Sequence, residues 1–189
     1  MATRQVGKSR SNALRGRELV IRLEEPCRAS AEAVYDQLAD IRRHLEWGGT
    51  MQPKKSFRLL SIEAPAGPAT VGTEFRSTGA DGMGVFADAS VVTEASRPSL
   101  FEFVTEARLT TKKDAVVEWT NVHGYELTSE AAGCRITYTF RIVRISALPG
   151  LLGIFRIPGL RALGLKISAS YVRLGLRNLA AMAESATNV

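Results

Sequence analysis

His123 and Asn121 stand two residues apart in a stretch that alternates. Val117, Trp119, Asn121, His123, Tyr125 and Leu127 share one face of a strand predicted over Val116 to Thr128. Most of that face is apolar, and a polar group placed there must find a partner or a ligand. An imidazole in such a position can serve as a general base or an orienting donor near neutral pH. It can equally be a histidine at the wet end of the strand, or one satisfied by a tyrosine. Asp88 falls on the inward side of another predicted strand, Val85 to Ala95. An unpaired inward carboxylate is costly, so Asp88 is expected in a pair or at a pocket mouth. A His123–Asp88 pair would satisfy both groups, although spacing alone does not establish it. His123, Asn121 and Asp88 are the candidate catalytic residues.

No other stretch carries a catalytic signature. There is no G-x-S-x-G, no P-loop, no H-E-x-x-H, and no G-x-G-x-x-G ahead of a helix. Cys27 and Cys134 are far apart and in no ligand-like spacing, so neither a zinc motif nor a disulfide framework follows, and a reducing compartment fits best. No metal site and no cofactor are expected. His44 lies among charged residues beside Trp47 and reads as a surface or helix-end residue.

The elements that must position these residues follow in order. Arg17 to Glu25 alternates as a strand that Pro26 should end. Ser30 is a natural N-cap for a helix over Ala31 to Leu38, and a second helical piece, Asp40 to Trp47, should stop at Gly48-Gly49. Six strands follow: Ser56 to Ala64, Val71 to Thr78, Val85 to Ala95, Ser99 to Arg108, Val116 to Thr128 and Arg135 to Ile145. Their connections are short and each has one wet face, which argues for an antiparallel meander. Gly159 to Glu184 then reads as one long amphipathic helix, with Leu163, Ile167, Tyr171, Leu174, Leu179 and Met182 on its apolar side. Strands and helices are segregated, so the class is α+β: a curved antiparallel sheet of about seven strands closed around the last helix, with a cavity between them.

Alternation places Phe75, Phe86, Asp88, Ser90, Phe101, Phe103, Trp119, Asn121, His123, Tyr125, Tyr138 and Phe140 toward that cavity, with Tyr171 joining from the helix. The set is mostly aromatic and suits a hydrophobic ligand, although about half of it must simply fill a core. Gly164, Ser168, Tyr171 and Gly175 form one stripe of the helix. Glycine there costs about 1 kcal/mol relative to alanine, so either a ligand or a close packing contact should occupy the space.

Several stretches resemble the START-like, or SRPBCC, helix-grip superfamily. Ala29-Ser30-Ala31-Glu32-Ala33-Val34-Tyr35 followed by Trp47 looks like its opening helix. Val71-Gly72-Thr73-Glu74-Phe75-Arg76 is similar to its V-G-x-x-F-R strand. Val92-Thr93-Glu94-Ala95, Arg97-Pro98 and Phe101-Glu102-Phe103 look like its following hairpin, and Leu179 to Glu184 looks like its helix ending. The resemblance covers residues 17 to 184. It implies a helix-grip domain over 17–189, with two short helices after the first strand, and a role as binder, carrier or polyketide cyclase-type enzyme.

The margins of the domain add partners. Of a net charge of +6, five basic residues fall in the first seventeen with no acid among them, so residues 1–16 read as a flexible basic arm on a nearly neutral body. The arm lacks aromatic residues that stack on bases, so no specific nucleic acid is expected. Residues 148–157 are unusually apolar for a connection. They suit a short helix, a lid, a peripheral membrane contact or a dimer contact. No apolar run spans a bilayer and the start lacks an apolar signal region, so the expected location is cytoplasmic, at most peripheral to a membrane. Monomer and homodimer both remain open. The leading expectation is a binder of a lipid, polyketide or other polycyclic compound, ahead of a cyclase or aromatase and of a regulatory protein on the same fold.

Overall fold

Alternation along the first strand decides where the sheet begins. In a computed structural model, which describes residues 19–54, 56–146 and 158–187 (in the last helix, side chains at 166 and from 168 onward), β1 spans Leu19–Cys27. Ile21, Leu23 and Cys27 point inward and Arg22 and Glu24 outward. The strand does not end at Pro26, which pairs in register with Arg135. β1 is an edge strand, and an edge tolerates a residue without a backbone N–H.

Ser30 caps α1, Ala31–Ala39, by accepting from the Ala33 N–H at 3.3 Å. A 3₁₀ turn at Ile41–Arg43 and a wide π-type turn at Glu46–Thr50 follow. Gly48 and Gly49 lie inside that second turn and do not terminate it. They are needed for close approach: a Cβ on Gly49 would stand 2.6 Å from the carbonyl oxygen of Leu59.

The remaining strands are β2 (Arg58–Glu63), β3 (Glu74–Ala80), β4 (Gly84–Ser96), β5 (Leu100–Thr111), β6 (Val116–Glu130) and β7 (Gly133–Ile145). All pair antiparallel in the order β1-β7-β6-β5-β4-β3-β2. The meander from β2 to β7 places β1 beside the last strand. A bulge between β6 and β7 sets Thr120 opposite Arg144 and Asn121 opposite Ile142, leaving Val143 as the extra residue. It brings Ile145 onto the inner face, where unbroken alternation would have put Arg144.

The closing helix, α2, spans Pro158–Thr187. Its buried face is Leu176, Leu179, Ala180 and Ala183, with Ala169, Val172 and Met182 packed alongside. That stripe is rotated from the predicted one. Tyr171 is 41% exposed and lies off the buried face. Leu179 lies on both stripes, while Ala180 and Ala183 take the places where larger side chains were expected. α2 lies against β1, α1 and the Glu46–Thr50 turn. Its end is tied down by Glu184, whose carboxylate accepts from the Arg28 backbone N–H at 2.8 Å and from the Arg28 guanidinium at 2.8 and 3.2 Å.

Two apolar clusters result. The larger joins α1, α2, Trp47 and the inner faces of β1 and β3 to β7. The smaller contains Phe86, Leu109 and Val117, with Phe57, Trp119 and Ile145 packed on it. Cys27 and Cys134 are buried and directly opposite in the β1–β7 ladder, and the Cys27 thiol donates to the Ala180 carbonyl at 3.7 Å. Among the described residues, no helix is long and apolar enough to cross a membrane.

Candidate ligand-binding site

Register across the sheet sorts the inner face into rows. Phe103 of β5, His123 of β6 and Phe140 of β7 form one row, with Tyr125 and Tyr138 in the next toward the α1 end. In the opposite direction lie Phe75, Ser90, Thr105 and Asn121, then Ser77, Asp88, Ala107 and Trp119. A polar band therefore crosses the floor between the two apolar clusters.

His123 is the hub of this band. Its ring stacks on Phe103 with centroids 4.5 Å apart and meets Phe140 edge-on at 5.1 Å. The Asn121 amide nitrogen stands 2.8 Å from Nε2, and Tyr138 Oη stands 2.7 Å from Nδ1. An amide nitrogen only donates, so Nε2 accepts, and Nδ1–H donates to the tyrosine oxygen. Burial, with a smaller contribution from His44, holds the His123 pKa down at about 3. The imidazole is neutral with both nitrogens engaged. Burial likewise drives the Tyr125 and Tyr138 hydroxyls well above their ordinary range.

The band also contains unmet acceptors. Ser90 and Thr105 bond each other at 2.9 Å. Asn121 is 5% exposed, and its Oδ1 has no partner among the described residues; neither has Oδ1 of Asp88. Burial raises the Asp88 pKa to about 6, partly opposed by a backbone hydrogen bond from Arg108. Native interiors rarely leave such groups unpaired; the indole N–H of Trp47, whose ring packs edge-on to Tyr125, is a third buried group without a partner among the described residues.

The predicted residues separate on this frame. Phe75, Phe101, Phe103, Tyr125, Tyr138 and Phe140 surround His123 and Asn121. Phe86 and Trp119, 5.9 Å apart, belong to the smaller cluster on the far side of the band. The His123–Asp88 pair is not made: two strand steps separate them, and His123 is taken by Tyr138 and Asn121. Tyr171 and Ser168 are exposed and do not join the aromatic set. Gly175 packs closely, because a Cβ there would meet the Gln52 side chain at 3.2 Å and the Trp47 ring at 3.9 Å. The side-chain surroundings of position 164 and the predicted lid at 148–157 lie outside the described residues, as does the basic arm.

His44 is not at the surface. It is 3% exposed; its Nε2–H donates to the Leu38 carbonyl at 2.8 Å, and its ring packs on Trp47 at 4.8 Å. Burial lowers its pKa to about 4. Its charged neighbours Arg42, Arg43 and Glu46 point elsewhere, which local sequence does not reveal. Thr105, absent from the predicted set, was legible: it continues the alternation of Phe101 and Phe103. An open cleft of about 350 Å³ between α1 and the end of α2, lined by Gln37, Arg43, Met51 and Met182 among others, lies apart from this face.

No family model matches the chain, and no curated protein does. Solved structures do. A protein of unknown function from Staphylococcus aureus superposes with a TM-score of 0.63 at 11% identity, over 92% of this chain and 98% of that one. An uncharacterised protein from Rhizobium leguminosarum gives 0.62 at 14% identity, over 89% and 96%. Ara h 8.0201 gives 0.53 at 10% identity, over 89% and 99%. The chain has the helix-grip fold.

Proposed function

We propose that this chain is a START-like helix-grip protein that binds a hydrophobic small molecule between the inner face of the sheet and α2. One observation carries the reading: a polar band with unmet acceptors crosses an otherwise aromatic floor, between two apolar clusters that do not merge. A protein with no use for that band would be more stable with apolar side chains in it. The aromatic residues Phe103, Phe140 and Trp119 supply contact area, and the polar atoms fix orientation. Mass spectrometry of natively purified protein should reveal a bound lipid or polycyclic compound, lost in Trp119→Ala. A protein that neither co-purifies with nor takes up any apolar compound would refute binding.

A cyclase-type reaction is the second reading. In its favour, the Tyr138–His123–Asn121 chain is continuous and ends at an amide oxygen with no partner among the described residues. His123 is poorly suited to remove a proton, since it is neutral with both nitrogens engaged. Asp88, with its pKa raised to about 6, is the better base. Turnover of a poly-ketone substrate, abolished in Asp88→Asn, would establish that reading; its absence leaves binding alone.

A further inference from the structure

The end of the sheet that carries the β3–β4 and β5–β6 turns is built differently from the rest of the outer face. Toward the middle of that face, charged side chains pair across strands: Arg144 with Glu106, and Arg108 with Glu118. In the next row outward the register sets Val85, Thr110 and Val116 side by side, all exposed, Val85 to 54%. Met83, on the adjoining β3–β4 turn, is 46% exposed. Lys112 and Lys113, on the β5–β6 turn, are exposed too, and neither has an ion pair among the described residues.

The two turns are tied together. Asp81 Oδ1 accepts from the backbone N–H groups of Met83 at 2.7 Å and Gly84 at 3.2 Å. The Lys112 N–H donates to the Met83 carbonyl at 3.1 Å. Aliphatic side chains and cations are thereby presented on one edge that is already ordered. Asp81 is engaged by its own turn, which leaves Asp114 as the exposed acid beside the lysines. More positive charge enters from this side. β1 begins at Leu19 and runs away from this end of the sheet. The first seventeen residues, ahead of it, carry Arg4, Lys8, Arg10, Arg15 and Arg17 and no acid.

Cations beside exposed aliphatic side chains match the boundary between anionic headgroups and acyl chains. Nucleic acid is a poorer fit. Single strands are gripped by stacking on aromatic rings, and neither the arm nor the exposed side chains of the two turns include one. We infer that this end of the sheet docks on an anionic lipid bilayer, with Met83, Val85 and Val116 entering the headgroup boundary and Lys112, Lys113 and the basic arm pairing with the headgroups. Docking of this kind does not depend on what the interior binds.

Co-sedimentation of the full chain with vesicles tests it, using phosphatidylcholine alone and a mixture with phosphatidylserine, each at low and high salt. Wild type should bind the mixed vesicles, and less so in high salt. A cation near an anionic surface is worth roughly fivefold in affinity, so Lys112→Glu with Lys113→Glu should weaken that binding at least about tenfold. Met83→Ser with Val85→Ser leaves every charge in place; it should weaken binding severalfold, and the loss should persist in high salt. All four positions are exposed, so the melting curves of both variants should match wild type. No binding to either vesicle, equal binding to both, or binding to the mixture unchanged in both variants overturns the docking surface. Binding of a single-stranded oligonucleotide in preference to the vesicles, unaffected by Met83→Ser with Val85→Ser, assigns the charge to nucleic acid and overturns it as well.

Discussion

The two faces of the sheet treat their polar groups in opposite ways. On the outer face, partners are supplied from within. Glu106 accepts from Arg144 at 2.8 Å and from the Thr120 hydroxyl at 2.9 Å; Arg108 pairs with Glu118, Arg141 with Glu102, and Arg135 with both Glu24 and Glu130. These pairs sit in water, where each contributes little. On the inner face, where an unpaired polar atom is expensive, Oδ1 of Asn121 and Oδ1 of Asp88 have no partner among the described residues. Pairs are plentiful where they matter least, and partners are short where they matter most. The inner face is therefore shaped for something other than stability.

Acidification should produce the largest effect, and it acts on the inner side. His123 and His44 titrate near 6.5 when unfolded but at about 3 and about 4 when folded. Their contribution is present above pH 6.5 and lost as pH falls toward the folded values. Asp88 has the opposite sign: its folded pKa of about 6 lies above 3.8, so its contribution is present below 3.8 and lost as pH rises through 6. Each tenfold change in proton affinity is worth about 1.4 kcal/mol, so two histidines against one aspartate leave a net loss of several kcal/mol between about pH 6.5 and 4. Denaturant titrations across that range test it; a flat profile would mean the imidazoles are not held neutral.

Phe103→Ala removes the ring that stacks on His123 and touches Phe75, Phe101 and Tyr125, and should cost about 3 to 5 kcal/mol by chemical denaturation. Tyr138→Phe leaves the His123 Nδ1–H without its acceptor and should cost about 1 to 3 kcal/mol. Asp88→Asn should raise the Tm of ligand-free protein at pH 7 but not at pH 3.5, where the carboxyl is already neutral. On the outer face, Arg144→Ala should change stability by less than about 1 kcal/mol, and less still in high salt. A large loss there would erase the contrast between the faces.

Much of the inner face was legible because a strand's period of two is robust. Phe75, Ser90, Phe101, Phe103, Asn121, His123, Tyr125 and Tyr138 all point inward as the alternation requires. What failed depended on long-range partners. Pro26 continues β1 because that strand ends up on an edge, a fact of topology rather than of local sequence. His44 is buried because α1 presents the Leu38 carbonyl to it. The tyrosine-satisfied histidine, one of the readings open for His123, is the arrangement found, but the tyrosine is fifteen residues away on the neighbouring strand.

Cys27 and Cys134 turn the far end of the sheet into a stopwatch. Burial raises both thiols, Cys134 to about 12, so almost none of the reactive thiolate exists at neutral pH. A thiol reagent must wait until β1 parts from β7 or α2 lifts from Cys27. The labelling rate of the untouched wild-type chain then times that opening, with no probe introduced, and slowing of the clock by an added compound would reveal that the compound has gone inside.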